Sequence, residues 1–444
     1  MQKKAPWFYP LFFIFFLTCF FLMPSVFAGP MDLLKAWELA RSHDAEYLSS
    51  VYEMEAGETF RAQARSGLLP HFSAGASFTH SDSDRYDKYE TRRYAVSLRQ
   101  PLFNLESYYH YRKSGPQVMA VRVAGDMAAA DLKLRVAESY FDLLASIDHM
   151  SLLLAEEAAV ARQMEQFQAM EARGVSTRSD VLEARSRLLE VRAGIIEAKS
   201  NLQIKKDRLS RITGVPVEDV LPLGLHLAYD PPGLSLKDWQ EKALAANLRV
   251  RYHEYYLQVY INGERQALSR HAPTVDAVLQ HMDTNESTHY RAADDTITSA
   301  AVHLNIPLYS GGETSARHRE AKAIVKKAQA DLDHMKRDAV HRVTEAYTRI
   351  EGASARIYAL EEAVDANILA VESSSQGVRA GIRTPTDVLD AERRLYNSRT
   401  RLLQARYDHV MARLSLLFHA GTLEDEDMEE LNRLLAVSGN PAGG

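Results

Sequence analysis

The chain has 444 residues, with 53 lysines and arginines against 59 aspartates and glutamates, a formal charge of −6. No basic stripe runs along it, so nucleic acid is not an expected partner. Its single cysteine, Cys19, excludes a disulfide framework and a thiolate metal site.

In chain order, the first element is a leader. Lys3 and Lys4 precede an apolar run from Leu11 to Met23, and Val26-Phe27-Ala28 ends on a small residue. This reads as a cleaved secretory signal over residues 1–28, its run being short for a membrane-spanning helix. Cys19 lies inside it. The mature chain, starting near Gly29, therefore has no thiol. Losing two lysines leaves 51 basic against 59 acidic residues, a charge of −8.

Two segments then alternate with period two. Phe72, Ala74, Ala76 and Phe78 oppose His71, Ser73, Ser77 and Thr79; Tyr94, Val96 and Leu98 oppose Ala95, Ser97 and Arg99. Each reads as a strand with one apolar face. Each is roughly ten residues, about what a tilted strand needs to cross a bilayer. The polar stretch Ser81–Arg92 reads as their loop. Pro70 and Pro101 stand at the opposite ends, where a residue without an N–H fits. On pattern alone, half-buried hairpins on a soluble core are the favoured reading, and the secretory signal narrows the gap.

From Pro116 to Arg173 the only glycine is Gly125 and no further proline occurs. At about 1.5 Å per residue this predicts a helix of roughly 87 Å. Such a length exceeds the usual globular helix and needs a long partner surface. Gly174 ends it as a C′ glycine, and Thr177 with Asp180 three residues on reads as the next N-cap. The following stripe, Val181, Ala184, Leu188, Val191, Ile195, Ala198 and Leu202, has coiled-coil spacing.

The second half repeats this order. Val275, Ala277 and Leu279 oppose Thr274, Asp276 and Gln280; Ala300, Val302, Leu304 and Ile306 oppose Ser299, Ala301, His303 and Asn305. Asn285–Asp295 reads as their loop, with Pro273 and Pro307 at the far ends. A second long helix is predicted from Thr314 to Ala380, interrupted only by Gly352 and Gly377. Gly381, the cap Thr384, Pro385 at the first helical position and Asp387 follow. The next stripe is Val388, Ala391, Leu395, Ser398, Leu402 and Ala405, with His409 weakening it.

Adding 207 to residues 174–214 aligns them with 381–421 without a gap. Gly174, Thr177, Asp180, Val181, Leu182, Ala184, Arg187, Leu188, Arg192, Ala198, Leu209 and Gly214 all recur. The reading is two copies of one structural unit. Four strands cannot close a membrane barrel, since the smallest single-chain barrels use about eight and unpaired backbone in lipid is prohibitive. Strands in a membrane therefore require further copies in a cyclic oligomer.

No catalytic constellation stands out. The sixteen histidines are scattered, and neither HExxH nor GxxxxGK[ST] occurs. The expectation is a protein that is not an enzyme and needs no cofactor.

The ordered motifs resemble the TolC family of outer-membrane channels. Asp32-Leu33-Leu34-Lys35-Ala36-Trp37-Glu38-Leu39-Ala40 and Ala62–Pro70 look like its opening helices. Gln100–Phe103 and Ile306–Tyr309 look like its strand-to-helix junctions. Arg135–Phe141, Gly381–Ala391 and Gly421–Asp427 look like its long helix, second repeat and ending.

The resemblance implies a mainly α chain with a small antiparallel β part. A homotrimer would complete a twelve-stranded barrel in outer-membrane lipid, continued by an α-helical tunnel through the periplasm. It divides the chain into N-terminal helices (29–69), a first transmembrane hairpin (70–109), a first tunnel repeat (110–214) and an equatorial linker (215–235). Further helices (236–272), a second hairpin (273–312), a second tunnel repeat (313–421) and an equatorial tail (422–444) follow.

The implied partners are a periplasmic adaptor (a membrane fusion protein) and an inner-membrane transporter, ABC-type or proton-driven. The implied function is type I protein secretion, drug efflux or both. Asp387 and Asp390 would form an acidic ring at the periplasmic entrance. Arg383 would close the tip on Ser179 and Asp180. Gly174, Val175, Thr177, Gly381, Ile382 and Thr384 would form the tips that dock the adaptor. Ser179 and Val378 depart from the best-known pattern, which has threonine and tyrosine there. Without the resemblance, Asp180 and Asp387 read first as capping-box acids beside a helix dipole, and the alternative for Arg383 is a solvated helix-start residue. The alternative for the whole chain is a periplasmic adaptor or structural coiled-coil protein. An adaptor, however, carries one helical hairpin on a β-rich body.

Overall fold

The computed structural model describes residues 30–83, 86–222, 229, 231–285, 294–433 and 435. The segment 1–28, expected as a leader, lies outside them. Three short helices open the described chain: α1 (Leu33–His43), α2 (Ala45–Glu58) and α3 (Phe60–Ser66). Asp32 and Asp44 cap the first two, accepting from the N–H of Lys35 at 2.6 Å and of Tyr47 at 2.8 Å, which satisfies donors a helix start leaves free.

Strands β1 (His71–Ser83), β2 (Tyr86–Phe103), β3 (Thr274–Thr284) and β4 (Asp295–Asn305) form one antiparallel sheet in the order β1-β2-β3-β4. The register puts Phe72, Leu98, Leu279 and Ala300 in one row and Ser73, Ser97, Gln280 and Ser299 in the next. All four apolar faces therefore lie on one side of the sheet. That side is open in the chain: Phe72 is 74% exposed and Val302 68%. On the other side Arg99 reaches Asp276 across β2 and β3 at 2.7 Å. Among the described residues β1 and β4 each have one unpaired edge.

The segment Ser81–Arg92, expected as a loop, is largely strand. Its ladder continues through Thr79↔Thr91, His80↔Glu90 and Ser81↔Tyr89 to Ser83↔Tyr86. Backbone pairing needs no apolar side chain, so polarity was a poor guide to where this hairpin turns. The loop expected over Asn285–Asp295 lies mostly outside the described residues.

The long helices are α4 (Leu105–Glu171) and α8 (Glu313–Arg379), each of 67 residues; the shorter α5 (Arg178–Thr213) and α9 (Pro385–Ala420) have 36 each. Helix α4 starts eleven residues before the expected Pro116, capped by Asn104, and runs through the proline. Proline removes one ladder bond, while Val118, Ala120 and Val123 are all buried just beyond it. Among the described residues no helix is long and apolar enough to cross a membrane.

Two further helices, α6 (Leu236–Ala246) and α7 (Leu248–Ser269), precede β3, and α10 (Asp425–Arg433) follows α9. Below the middle of the long helices the lateral order is α5-α4-α9-α8. Toward the sheet it is α2 and α3, then α4, α7 and α8. Thus α5 gives way to α2, and α9 to α7, while α4 and α8 run through.

At both changeovers a left-handed glycine allows the close approach. A Cβ on Gly214 (φ 72°) would lie 2.6 Å from the His43 side chain, and one on Gly421 (φ 75°) 2.4 Å from the Ala246 carbonyl oxygen. Beside the second junction Asn247 Nδ2 donates to the His419 carbonyl at 2.7 Å. Gly421→Ala is expected to destabilise the chain by about 1–3 kcal/mol from backbone strain alone. The clash with Ala246 adds to that. Thermal unfolding of the variant measures it, and an unchanged midpoint would contradict this account.

The largest core lies at this level. Leu33, Ala36 and Ala40 of α1 meet Val136, Tyr140, Phe141, Leu143 and Leu144 of α4, Tyr407, Val410 and Leu414 of α9, and Met428 and Leu431 of α10. Fully burying each large apolar side chain contributes about 1.5–3 kcal/mol. The linker joins in: Met31 bridges Val220, and the Tyr140 hydroxyl lies 3.1 Å from the carbonyls of both Met31 and Leu221.

The predicted coiled-coil stripes are the packed faces. Ala184, Leu188, Val191 and Ala198 are buried on α5, and Val388, Ala391, Leu395, Leu402 and Ala405 on α9. His409, expected to weaken the second stripe, is 3% exposed and sets its ring edge-on to Tyr229.

Candidate functional site

The two helical hairpins, α4–α5 and α8–α9, turn at one end of the molecule. Both turns have the same construction. Helix α4 ends through Gly174 (φ 71°), with Val175 N–H on the Met170 carbonyl at 2.9 Å; α8 ends through Gly381 (φ 73°), with Ile382 N–H on the Gly377 carbonyl at 3.0 Å. Each turn leads into a complete capping box. Thr177 and Asp180 form one, Thr384 and Asp387 the other, and Pro385 stands at the helix start. At the turns themselves Val175 is 68% and Ile382 81% exposed.

Asp180 sits where the hairpins meet. One carboxylate oxygen accepts from Thr177 N–H at 2.8 Å, Thr177 hydroxyl at 2.8 Å and Ser176 hydroxyl at 3.0 Å. The other lies 3.3 Å from the hydroxyl of Thr386 on the second hairpin. Glu183 Oε2 lies 3.3 Å from that same hydroxyl. A hydroxyl carries one proton, so Thr386 donates to one of the two acids at a time. Partial burial alone would raise the Asp180 carboxyl, but these donors bring it below the usual carboxylate range. The Thr384 N–H and hydroxyl, with Arg383 and Arg394 nearby, hold Asp387 low as well. Asp390 and Ser179 are exposed on the first turns of α9 and α5.

Arg383 takes a different route from the one expected of it. Within the chain it makes no ion pair with Asp180. Its side chain folds over Gly377, and Nη1 donates to the Ser374 hydroxyl at 3.0 Å. A Cβ at Gly377 would lie 2.9 Å from Arg383 Cγ and Cδ, so that glycine makes room for the arginine. In the first hairpin Phe167 stands 207 residues before Ser374 and fills its level with Ala184 and Leu389.

Thr386, Ser374 and Gly377 escaped the sequence reading. An isolated helical glycine was the one signal present, and it points to close packing rather than to a partner. Thr386→Val is expected to weaken the contact between hairpins by about 0.5–1.5 kcal/mol. Hydrogen exchange at the two turns should rise, and Thr386→Ser should restore it. Unchanged exchange in the valine variant would show that the hydroxyl ties nothing.

Among the described residues no group of three or more histidines, cysteines, aspartates and glutamates is placed to hold a metal ion. The tip can present charge and hydrogen-bonding groups, and two hairpins tied by single polar contacts.

Comparison with known proteins agrees with this architecture. The chain matches the family described as "Outer membrane efflux protein" over residues 38–215 and 239–422. It is 29% identical over 426 residues to alkaline protease secretion protein AprF of Pseudomonas aeruginosa, covering 92% of this chain and 88% of that one. It is 27% identical over 431 residues to outer membrane protein TolC of Escherichia coli, covering 92% and 86%. Among solved structures, the outer membrane protein VceC of Vibrio cholerae superposes with a TM-score of 0.78 at 18% identity, covering 88% of this chain and 96% of that one. The mainly helical architecture with one small antiparallel sheet is therefore that of a known group of channels, and the chain belongs to the outer membrane efflux protein family.

Proposed function

We propose that the chain is one subunit of a trimeric exit channel that spans the outer membrane and the periplasm. It serves type I protein secretion, drug efflux or both, by docking to a periplasmic adaptor and an inner-membrane transporter. Protease secretion is what AprF and PrtF, each 29% identical, are named for; efflux is what BepC of Brucella suis, 24% identical, is named for. Residues 1–28 act as the cleaved signal, and the two halves of the mature chain descend from one duplicated unit.

The observation that carries this reading is the pair of open flanks. In the lower part of the chain α5 and α8 are the outermost helices. On α5 the side chains Leu182, Leu189, Ile196 and Ile204 are 52%, 56%, 70% and 62% exposed. Spacings of seven and eight keep them on one side of the helix. On α8 Tyr358, Ile368 and Leu369 are exposed.

Adding 207 to the α5 row gives Leu389, Tyr396, Leu403 and Met411. Those are the residues α9 turns onto α4 and the core: Leu389 packs with Phe167, Tyr396 bonds the Ala155 carbonyl at 3.1 Å, and Leu403 and Met411 flank the main cluster. In a ring, the α5 row of one copy meets α8 of the next as the α9 row meets α4. A head-to-tail contact that closes gives a ring. The same ring pairs the open edges of β1 and β4, and its apolar outer sheet face meets lipid.

At the tip, Asp387 and Asp390 of all copies ring the entrance, and Arg383 exchanges Ser374 for Asp180 and Ser179 of a neighbouring copy when the tunnel shuts. The exposed turns at Gly174, Val175, Thr177, Gly381, Ile382 and Thr384 meet the adaptor. Membrane fractionation with chemical crosslinking, followed by conductance in a planar bilayer, tests the proposal. A crosslinked trimer in the outer membrane with steady conductance is the expected result; a soluble periplasmic monomer would overturn it.

A further inference from the structure

We infer that Glu392 is a proton-operated latch between the two helical hairpins, set in the seam of α4 and α9 just above the tip. The inference rests on the channel reading for its consequence and on the following geometry for its existence.

The seam is tied above and below this point. Leu389 packs with Phe167 and Ala184 below. Above, the Tyr396 hydroxyl donates to the Ala155 carbonyl at 3.1 Å, and the Tyr407 hydroxyl donates to Asp148 at 2.6 Å. Between these ties lies Glu392. Its Oε2 is buried and has no hydrogen-bond partner among the described residues.

The charged groups around it do not supply one. On α4, Glu156 is 6% exposed and is committed to Arg187 of α5, which also holds Glu190. Arg162, also on α4, is exposed and forms no ion pair with Glu392. On α9 itself the neighbours are Arg393, Tyr396 and Arg399, the last stacked over the Tyr396 ring. On α8 the residues at this height are Glu372, Ser373, Ser374, Ser375 and Gln376, with the Glu372 carboxylate accepting from Gln376.

A buried carboxyl beside a second carboxylate favours its neutral form. Burial pushes Glu392 up to about 7; Arg162 pulls it down somewhat, and Glu156 pushes it further up. The sign follows from linkage. A carboxyl raised on folding stabilises the packed seam at low pH, and that contribution is lost as pH rises through about 7. Once ionised, Glu392 carries a charge near Glu156 with its Oε2 shut away from solvent and from any donor among the described residues, and the seam must admit water there or part. Parting of α9 from α4 here separates the second hairpin from the first at the entrance. Protonation therefore holds the hairpins together, and deprotonation near neutrality lets them move.

The test uses the full-length protein in planar bilayers and in detergent. Open probability of the parent should rise several-fold between about pH 6 and pH 8. Glu392→Gln, which keeps shape and removes the proton, should stay flat at the low-pH level. Arg162→Gln should move the midpoint to higher pH. A second readout is independent of conduction: nitroxide labels on Leu154→Cys and Arg393→Cys, both exposed positions, report the separation of α4 and α9. That separation should widen with pH in the parent and not in Glu392→Gln. A parent whose label separation ignores pH, or a Glu392→Gln variant that titrates with the parental midpoint, overturns the latch. A parent that forms no channel yet shows the titrating separation leaves the latch standing and removes the channel reading instead.

Discussion

A chain carrying Leu189→Glu together with Ile196→Glu is expected to fold and to remain a monomer. Both side chains are more than half exposed in the single subunit, so their loss takes little from its own core. In the ring proposed for them they lie under the neighbouring copy. Each buried apolar side chain there contributes about 1.5–3 kcal/mol. Each glutamate would in addition place an unpaired charge in an apolar contact, at a further few kcal/mol. The change repeats at every interface. Sedimentation in detergent reads the mass directly, and circular dichroism verifies that the helices survive. A variant that still sediments as a trimer would mean that α5 faces solvent in the assembly. The exposed apolar row would then need another partner.

Neutralising the entrance is expected to have the second large effect. Asp387→Asn keeps an oxygen that can accept from the Thr384 N–H and hydroxyl, now 2.8 Å and 2.9 Å away, so the capping box survives while the charge goes. Combined with Asp390→Asn, it removes two carboxylates per copy from one narrow opening. Cation preference and block by trivalent cations should both fall in planar bilayers. Because the Thr384 hydrogen bonds and Arg383 hold Asp387 below the usual carboxylate range, its part of the parental preference should persist well into mild acid. Arg383→Ser tests the other half of the tip. It should raise the open fraction, modestly per copy because exposed ion pairs contribute only about 0–1 kcal/mol. Unchanged selectivity and conductance would return the aspartates to capping alone and the arginine to its contact with Ser374.

Much of this architecture was legible in the residues because its rules are local. The alternation around Phe72 and Val302 put the apolar side chains on one face of each strand. The second long helix was bounded to within a residue at each end, and the threonine caps with their aspartates were found where the capping boxes stand. The stripe from Val388 to Ala405 is buried as its spacing required. The boundary errors were local too. The chain continues helical through Pro116 and continues as strand through Ser81 and Glu90, because packing and pairing beyond those positions outweighed the residue's own preference.

By itself, then, the sequence determined the helical and β-hairpin elements and the glycine turns that join the long and short helices. Periodicity, capping and backbone sterics act over a few residues, and all of these follow from them. Only the tertiary structure decided which residues separated by a hundred positions or more meet. It laid Thr386 between Asp180 and Glu183, stacked α9 under α7 at Gly421, left one flank of α5 bare while burying the corresponding flank of α9, and closed Glu392 into a seam with no partner for its oxygen. Over a shorter span it also decided the path of Arg383, which folds over Gly377 to reach Ser374 nine residues earlier. Burial and long-range contact depend on how whole helices pack side by side, and no window of neighbouring residues carries that information.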